Sequence, residues 1–124
     1  MKFIIVNGTL KPSTESNVST ICEMVKVGFE KFGHECEIVN TAELNYKNST
    51  EDEDDELRPV IHKMIQPDIT GIIIATPIWW GMFSSHTQAL IERMDYIDTW
   101  SLDNNHYKPM FGKVMGTIVS GAVD

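Results

Sequence analysis

The sequence has 124 residues, with 18 Asp and Glu against 10 Lys and Arg, giving a formal net charge of −8. This length supports one domain with one core and leaves no room for a second. Nucleic-acid binding is excluded, because phosphate backbones are held by neutralising Lys and Arg, and no basic patch is readable here.

Phe3-Ile4-Ile5-Val6 is a continuous apolar run ended by Asn7-Gly8, the pattern of a central parallel strand covered on both faces. A polar loop follows, Thr9 to Ser16, with Ser16 or Asn17 placed to cap the next helix. Val18, Ile21, Cys22, Val25, Phe29 and Phe32 recur at three- and four-residue steps and predict one buried helix face ending at Gly33. Glu35 to Val39 reads as a short second strand at an edge. The acids Glu51 to Glu56 read as a solvated loop, the other reading being a docking surface for a basic partner. They lead into a short helix, Leu57 to Ile65, where Pro59 is tolerable only in the first turn. Gly71-Ile72-Ile73-Ile74-Ala75-Thr76 is a third strand, again buried on both faces. Pro77 to Ser84 reads as an aromatic loop, and Ser85-His86-Thr87-Gln88 as a capping box with Ser85 as the cap. Ala89, Leu90, Met94 and Ile97 continue that helix on its inner face. Thr99 to Phe111 reads as a long polar connection, and Lys113 to Ser120 as a fourth strand.

Strands alternating with helices predict an α/β fold, a parallel sheet with helices on both faces. In such sheets ligands bind beyond the carboxyl ends of the strands. That rule selects the loops after strands one, three and four. The first, Asn7 to Val18, is neither a GxGxxG turn nor a Walker A loop; it is a hydroxyl-rich approach to a helix N-terminus, where free amides and hydroxyls suit an anion. The second carries Trp79 and Trp80 beside Ile78, Met82 and Phe83, a flat apolar surface for an aromatic ring system or an interface. The third, Ser120-Gly121-Ala122, lets backbone approach a ligand closely. Together the three loops meet the demands of a phosphorylated planar cofactor such as FMN.

Other chemistries find little support. Cys22 and Cys36 form no CxxC, and neither begins the phosphatase pattern of Cys, five residues, then Arg; both read as ordinary thiols of a reducing compartment. His34, His62, His86 and His106 are scattered without metal-ligand spacing. The uncharged stretch Ile69 to Ile91 contains Pro77 and Gly81 and reads as strand, loop and helix start, so no membrane span is expected. With no leader signature at the N-terminus, a cytoplasmic location is expected.

Several segments resemble the flavodoxin-like NAD(P)H-dependent FMN reductase and quinone reductase family. Gly8-Thr9 and Ser16-Asn17-Val18 resemble its Gly-Ser-x-x-x-x-Ser-Asn-Thr phosphate motif, in a loop longer by two residues. Val18 replaces a hydroxyl, so its contact runs through backbone N–H. Ala75-Thr76-Pro77-Ile78-Trp79-Trp80-Gly81 resembles the Thr-Pro-x-Tyr-Trp-Gly segment that lies along the flavin ring. Gln88-Ala89-Leu90-Ile91-Glu92-Arg93-Met94 resembles Lys-Ala-Phe-Ile-Asp-Arg-Leu, and Phe111-Gly112-Lys113 also matches. Asn45 to Glu56 has no Cys, which excludes the iron–sulfur branch. The resemblance implies that Thr9, Lys11, Ser16, Asn17 and Val18 hold the phosphate. Pro77, Ile78, Trp79, Trp80, Gly81 and Met82 would line the flavin, and Ser120, Gly121 and Ala122 its far edge.

The expected function is an FMN-binding oxidoreductase that passes electrons from NAD(P)H through FMN to a quinone, flavin or similar acceptor. No catalytic side chain is singled out, since the flavin carries the chemistry. The alternatives are a flavodoxin-type electron carrier docking a redox protein, and a non-catalytic interaction domain. The resemblance also admits a homodimer paired across the flavin face. The expected fold is a flavodoxin-like three-layer α/β/α sandwich over residues 1–124 with strand order 2-1-3-4. The fifth strand and last helix of that fold would be missing, leaving a C-terminally incomplete domain with an exposed apolar edge.

Overall fold

The apolar runs pair side by side. In a computed structural model, which describes residues 1–121, β1 (Lys2–Asn7) lies between β2 (Glu35–Asn40) and β3 (Ile69–Trp79), parallel to both. The two-residue β4 (Met82–Phe83) pairs antiparallel with the end of β3, and β5 (Val114–Ser120) runs parallel to β3 on its other side. The four parallel strands therefore follow the expected 2-1-3-4 order, with β5 as the fourth.

Strand side chains alternate between two cores, as the two-residue period demands. Ile4, Val6 and Ile72 point to one face, where they meet Leu57, Val60, Ile61 and Met64 at and within α2 (Arg58–Met64), Leu90 of α3 (Ser85–Arg93) and Ile97 of α4 (Tyr96–Asp103). Ile5 and Ala75 point to the other, where α1 (Asn17–Lys31) lays Val18 and Cys22 against them. Phe3 stacks on Phe29 at 4.1 Å between ring centroids. The result is the expected flavodoxin-like α/β/α arrangement.

Local signals explain the helix ends. Ser16 caps α1 by accepting a bond from Ser19 N at 3.2 Å. At the other end Gly33 has φ of 79°, and bonds from Gly33 N to Glu30 O and His34 N to Phe29 O close a Schellman turn. Pro59 sits in the first turn of α2, where its missing N–H is harmless.

Three expectations are corrected. The cap of α3 is Ser84, not Ser85: its Oγ accepts from Thr87 N at 3.1 Å. The aromatic loop is a hairpin, because β3 continues through Pro77 to Trp79 and turns back at Trp80-Gly81. The connection after Thr99 begins inside a helix, α4, since Met94-Asp95 breaks the α3 axis without a Gly or Pro to announce it.

The acidic run is also more than a solvated loop. Arg93 is 1 % exposed, and its guanidinium donates to Asp55 at 2.9 and 2.6 Å and to Lys47 O at 2.8 Å. Asp52 is paired with Arg58 at 3.0 Å and His62 at 2.8 Å. Glu51, Asp54 and Glu56 stay exposed. No helix among the described residues is long and apolar enough to cross a membrane.

Candidate functional site

The carboxyl ends of β1, β3 and β5 open into one cavity of about 530 Å³. Thr9, Lys11, Ser16, Asn17 and Val18 form one wall, and Pro77, Ile78, Trp79 and Trp80 the other. Ser120 enters because it is in register with Pro77 across the β3–β5 ladder. The structure thus brings together residues from all three loops selected by the sequence.

Three of the described residues expected at the site stand apart from this lining. Gly81 forms the hairpin turn with φ of 76°, and Met82 is exposed on its returning arm. Gly121 lies beside Ile78, where an added β-carbon would come within 3.5 Å of its side chain. Ala122 lies outside the described residues.

The first wall is built to present hydroxyl protons. Thr9 Oγ1 accepts from Lys11 N at 3.3 Å, and Ser16 Oγ accepts from Ser19 N. A hydroxyl that accepts from backbone keeps its own proton for a ligand. The N-terminus of the 15-residue α1 adds about half a positive charge at the same place. Lys11 supplies the cation of this lining, its Nζ 6.0 Å from the ring centroid of Trp79 across the cavity. Val18 is 2 % exposed, so its side chain belongs to the core.

The second wall is apolar and deliberately placed. Trp80 has φ of 51°, a conformation that bulky residues avoid, and it is fully exposed. Two adjacent positive-φ residues mark a type I′ turn. The hairpin is pinned by Ser84 N donating to Thr76 Oγ1 at 3.1 Å.

The two walls meet at Gly8. Its N–H donates to Ala75 O at 2.8 Å, and its carbonyl accepts from Ser84 Oγ at 2.5 Å. A β-carbon at Gly8 would sit 2.0 Å from Thr87 Oγ1. This joint was not visible in the sequence beyond a strand-ending Asn-Gly, because its partners lie over 65 residues away. The sequence did carry one signal for it, the hydroxyl pair Ser84 and Thr87 at capping spacing.

No nucleophile stands out among the described residues. Burial pushes the Cys22 thiol up to about 11 and raises Cys36 as well, so neither supplies thiolate at neutral pH. His86 contacts the Tyr46 hydroxyl; burial lowers the histidine and raises the tyrosine. No group of three or more His, Cys, Asp or Glu suited to a metal occurs among the described residues. A second cavity at the amino ends of the strands is lined by Lys2, Glu37, Lys63 and Asp68 among others, charges already neutralised in the pairs Lys2–Asp68 and Lys63–Glu37.

Known proteins share the fold of this chain. A curated relative, the 8-demethyl-8-aminoriboflavin-5'-phosphate synthase of Streptomyces davaonensis, is 27% identical over 138 residues, covering 100% of this chain and 52% of the relative. The crystal structure of RosB with a bound 8-demethyl-8-formylriboflavin-5'-phosphate intermediate superposes with a TM-score of 0.79 at 24% identity, over 100% of this chain and 53% of that one. A flavone reductase gives a TM-score of 0.69 at 18% identity, over 100% and 44%. The chain therefore spans about half the length of the curated relative it matches. The model of the NADPH-dependent FMN reductase family matches residues 1–124, and the chain belongs to this family of flavin-dependent oxidoreductases.

Proposed function

We propose that the cavity holds FMN and that the protein relays electrons from NAD(P)H to a small acceptor such as a quinone or free flavin. The observation that carries this reading is the single cavity joining a hydroxyl-rich helix N-terminus to a tryptophan hairpin. The donor set fits the group: hydroxyls, helix amides and one lysine suit a phosphate, and Trp79 and Trp80 suit a flat ring. Thr9, Lys11, Ser16, Asn17 and the backbone of Val18 would hold the phosphate. Pro77, Ile78, Trp79 and Trp80 would line the ring, with Gly81 and Met82 shaping the hairpin behind it. Ser120, Gly121 and Ala122 would bound the far edge.

Bound FMN would supply two-electron chemistry, taking hydride from a nicotinamide and returning electrons to the acceptor. The protein's share is to bind, orient and exclude water. The apolar hairpin strips water from one face of the ring, while the polar wall fixes the ribityl phosphate end and so sets the ring's position. Protein loaded with FMN is expected to consume NADPH when a quinone is supplied, without an added reductase. Turnover only with an added reductase would instead identify an electron carrier.

A second reading follows from the curated relative's name, in which a flavin phosphate is the molecule acted upon. The same residues would then hold FMN as substrate. Recovering the flavin after incubation and measuring its mass separates the two: an unchanged mass supports the relay, and a changed ring substituent supports flavin modification.

A further inference from the structure

The cavity's polar wall hangs on a residue that does not line it. Asn7 ends β1 and is completely buried. Its Oδ1 accepts from Thr9 N at 3.1 Å, and its Nδ2 donates to Ser19 Oγ at 2.8 Å and to Asn40 Oδ1 at 3.0 Å. Its own carbonyl accepts from Thr41 Oγ1 at 2.9 Å. A backbone N–H can only donate, so the atom facing Thr9 is the oxygen, and this fixes the orientation of the amide.

Two branches leave this carboxamide. One runs through Thr9, whose hydroxyl accepts from Lys11 N. The other runs through Ser19, whose N–H is held by the Ser16 hydroxyl. Both end on groups that line the cavity. A leucine, with the same branched outline, would serve burial alone; a buried amide with both donors in use specifies position as well.

We propose that Asn7 is the positioning residue of the phosphate end, setting the Thr9 and Ser16 hydroxyls jointly and thereby setting the preference for a flavin phosphate over the unphosphorylated flavin. This rests on the reading that the cavity holds a flavin phosphate. Asn7 touches neither ring nor phosphate, so its effect appears in that preference and not in ring binding.

The test titrates FMN and riboflavin separately, by quenching of flavin fluorescence. It compares the unmodified protein with Asn7→Leu, Ser19→Ala and the core control Ile61→Val. Asn7→Leu is expected to lower the FMN-to-riboflavin affinity ratio about tenfold, the scale of one or two lost hydrogen bonds to a charged group. Ser19→Ala, which cuts one branch only and keeps the Ser16 cap, is expected to lower it about two- to fivefold. Ile61→Val is expected to lower the melting temperature and leave the ratio alone. An unchanged ratio in Asn7→Leu overturns the proposal, and if that variant does not fold, an unchanged ratio in Ser19→Ala overturns it. If the unmodified protein binds riboflavin as tightly as FMN, the phosphate reading of the site fails instead.

Discussion

Trp80 occupies a backbone position that favours Asn or Gly and buries none of its own surface. Left-handed backbone at a bulky residue costs about 1–2 kcal/mol. Trp80→Asn is therefore expected to stabilise the protein by about 1 kcal/mol, raising the melting temperature by about 3–5 °C, while weakening flavin binding in a fluorescence titration. Loss of stability would mean that Trp80 packs for the fold. The Asp55–Arg93 pair predicts the opposite kind of effect. The Arg93 guanidinium holds the Asp55 carboxyl well below the usual carboxylate range. A depressed carboxylate stabilises fully above its unfolded value, near about pH 4, and that stability is lost as pH falls below it. Asp55→Asn should cost about 3 kcal/mol at pH 7, since it leaves Arg93 charged and buried. Urea denaturation at pH 7 and pH 3 should show the gap between variant and parent shrinking in acid. The exposed tryptophan pair was legible because two such residues beyond a buried strand cannot both be core. The Asp55–Arg93 pair was not, because its members stand 38 residues apart and no periodicity joins them.

At the scale of elements, the walls of the site depend on how closely β1 approaches the start of α3. Gly8→Ala places a β-carbon 2.0 Å from Thr87 Oγ1, so the end of β1 and the start of α3 must separate. A destabilisation of about 1–3 kcal/mol is expected from such overpacking. Adding Thr87→Ala removes the obstructing oxygen, and thermal melts should show the double variant recovering part of the loss. Full additivity would show that the two residues are not in contact. The runs Ile4-Ile5-Val6 and Ile72-Ile73-Ile74 announced β1 and β3 because strands buried on both faces need unbroken apolar sequence. The hairpin was hidden by Pro77, which reads as a strand end. β3 tolerates it, and Pro77 still faces Ser120 across the ladder. α4 was hidden because Ile97 and Trp100 are its main apolar residues, too few to show a helical period.

For the whole molecule, the sheet is covered unevenly. β1 and β3 are buried between layers, whereas Val114, Met115 and Val119 of β5 are largely exposed, and β5 pairs with β3 alone among the described residues. Exposed apolar strand edges promote association. Met115→Lys with Val119→Lys is expected to reduce concentration-dependent association in sedimentation without lowering the melting temperature; unchanged association would place the contact elsewhere. The sheet order was legible because parallel strands joined by helices leave few topologies. The cavity followed from the strand-end rule, while the bonds that tie its walls together needed coordinates. In the proposed function this cavity binds a flavin through its phosphate and its ring. The direct measurement is a titration of the purified protein with FMN and with riboflavin, followed by flavin absorbance and tryptophan fluorescence. Saturable binding with quenched tryptophan emission is expected, tighter for FMN. No saturable binding of either flavin, or binding that leaves the tryptophans unaffected, would contradict it.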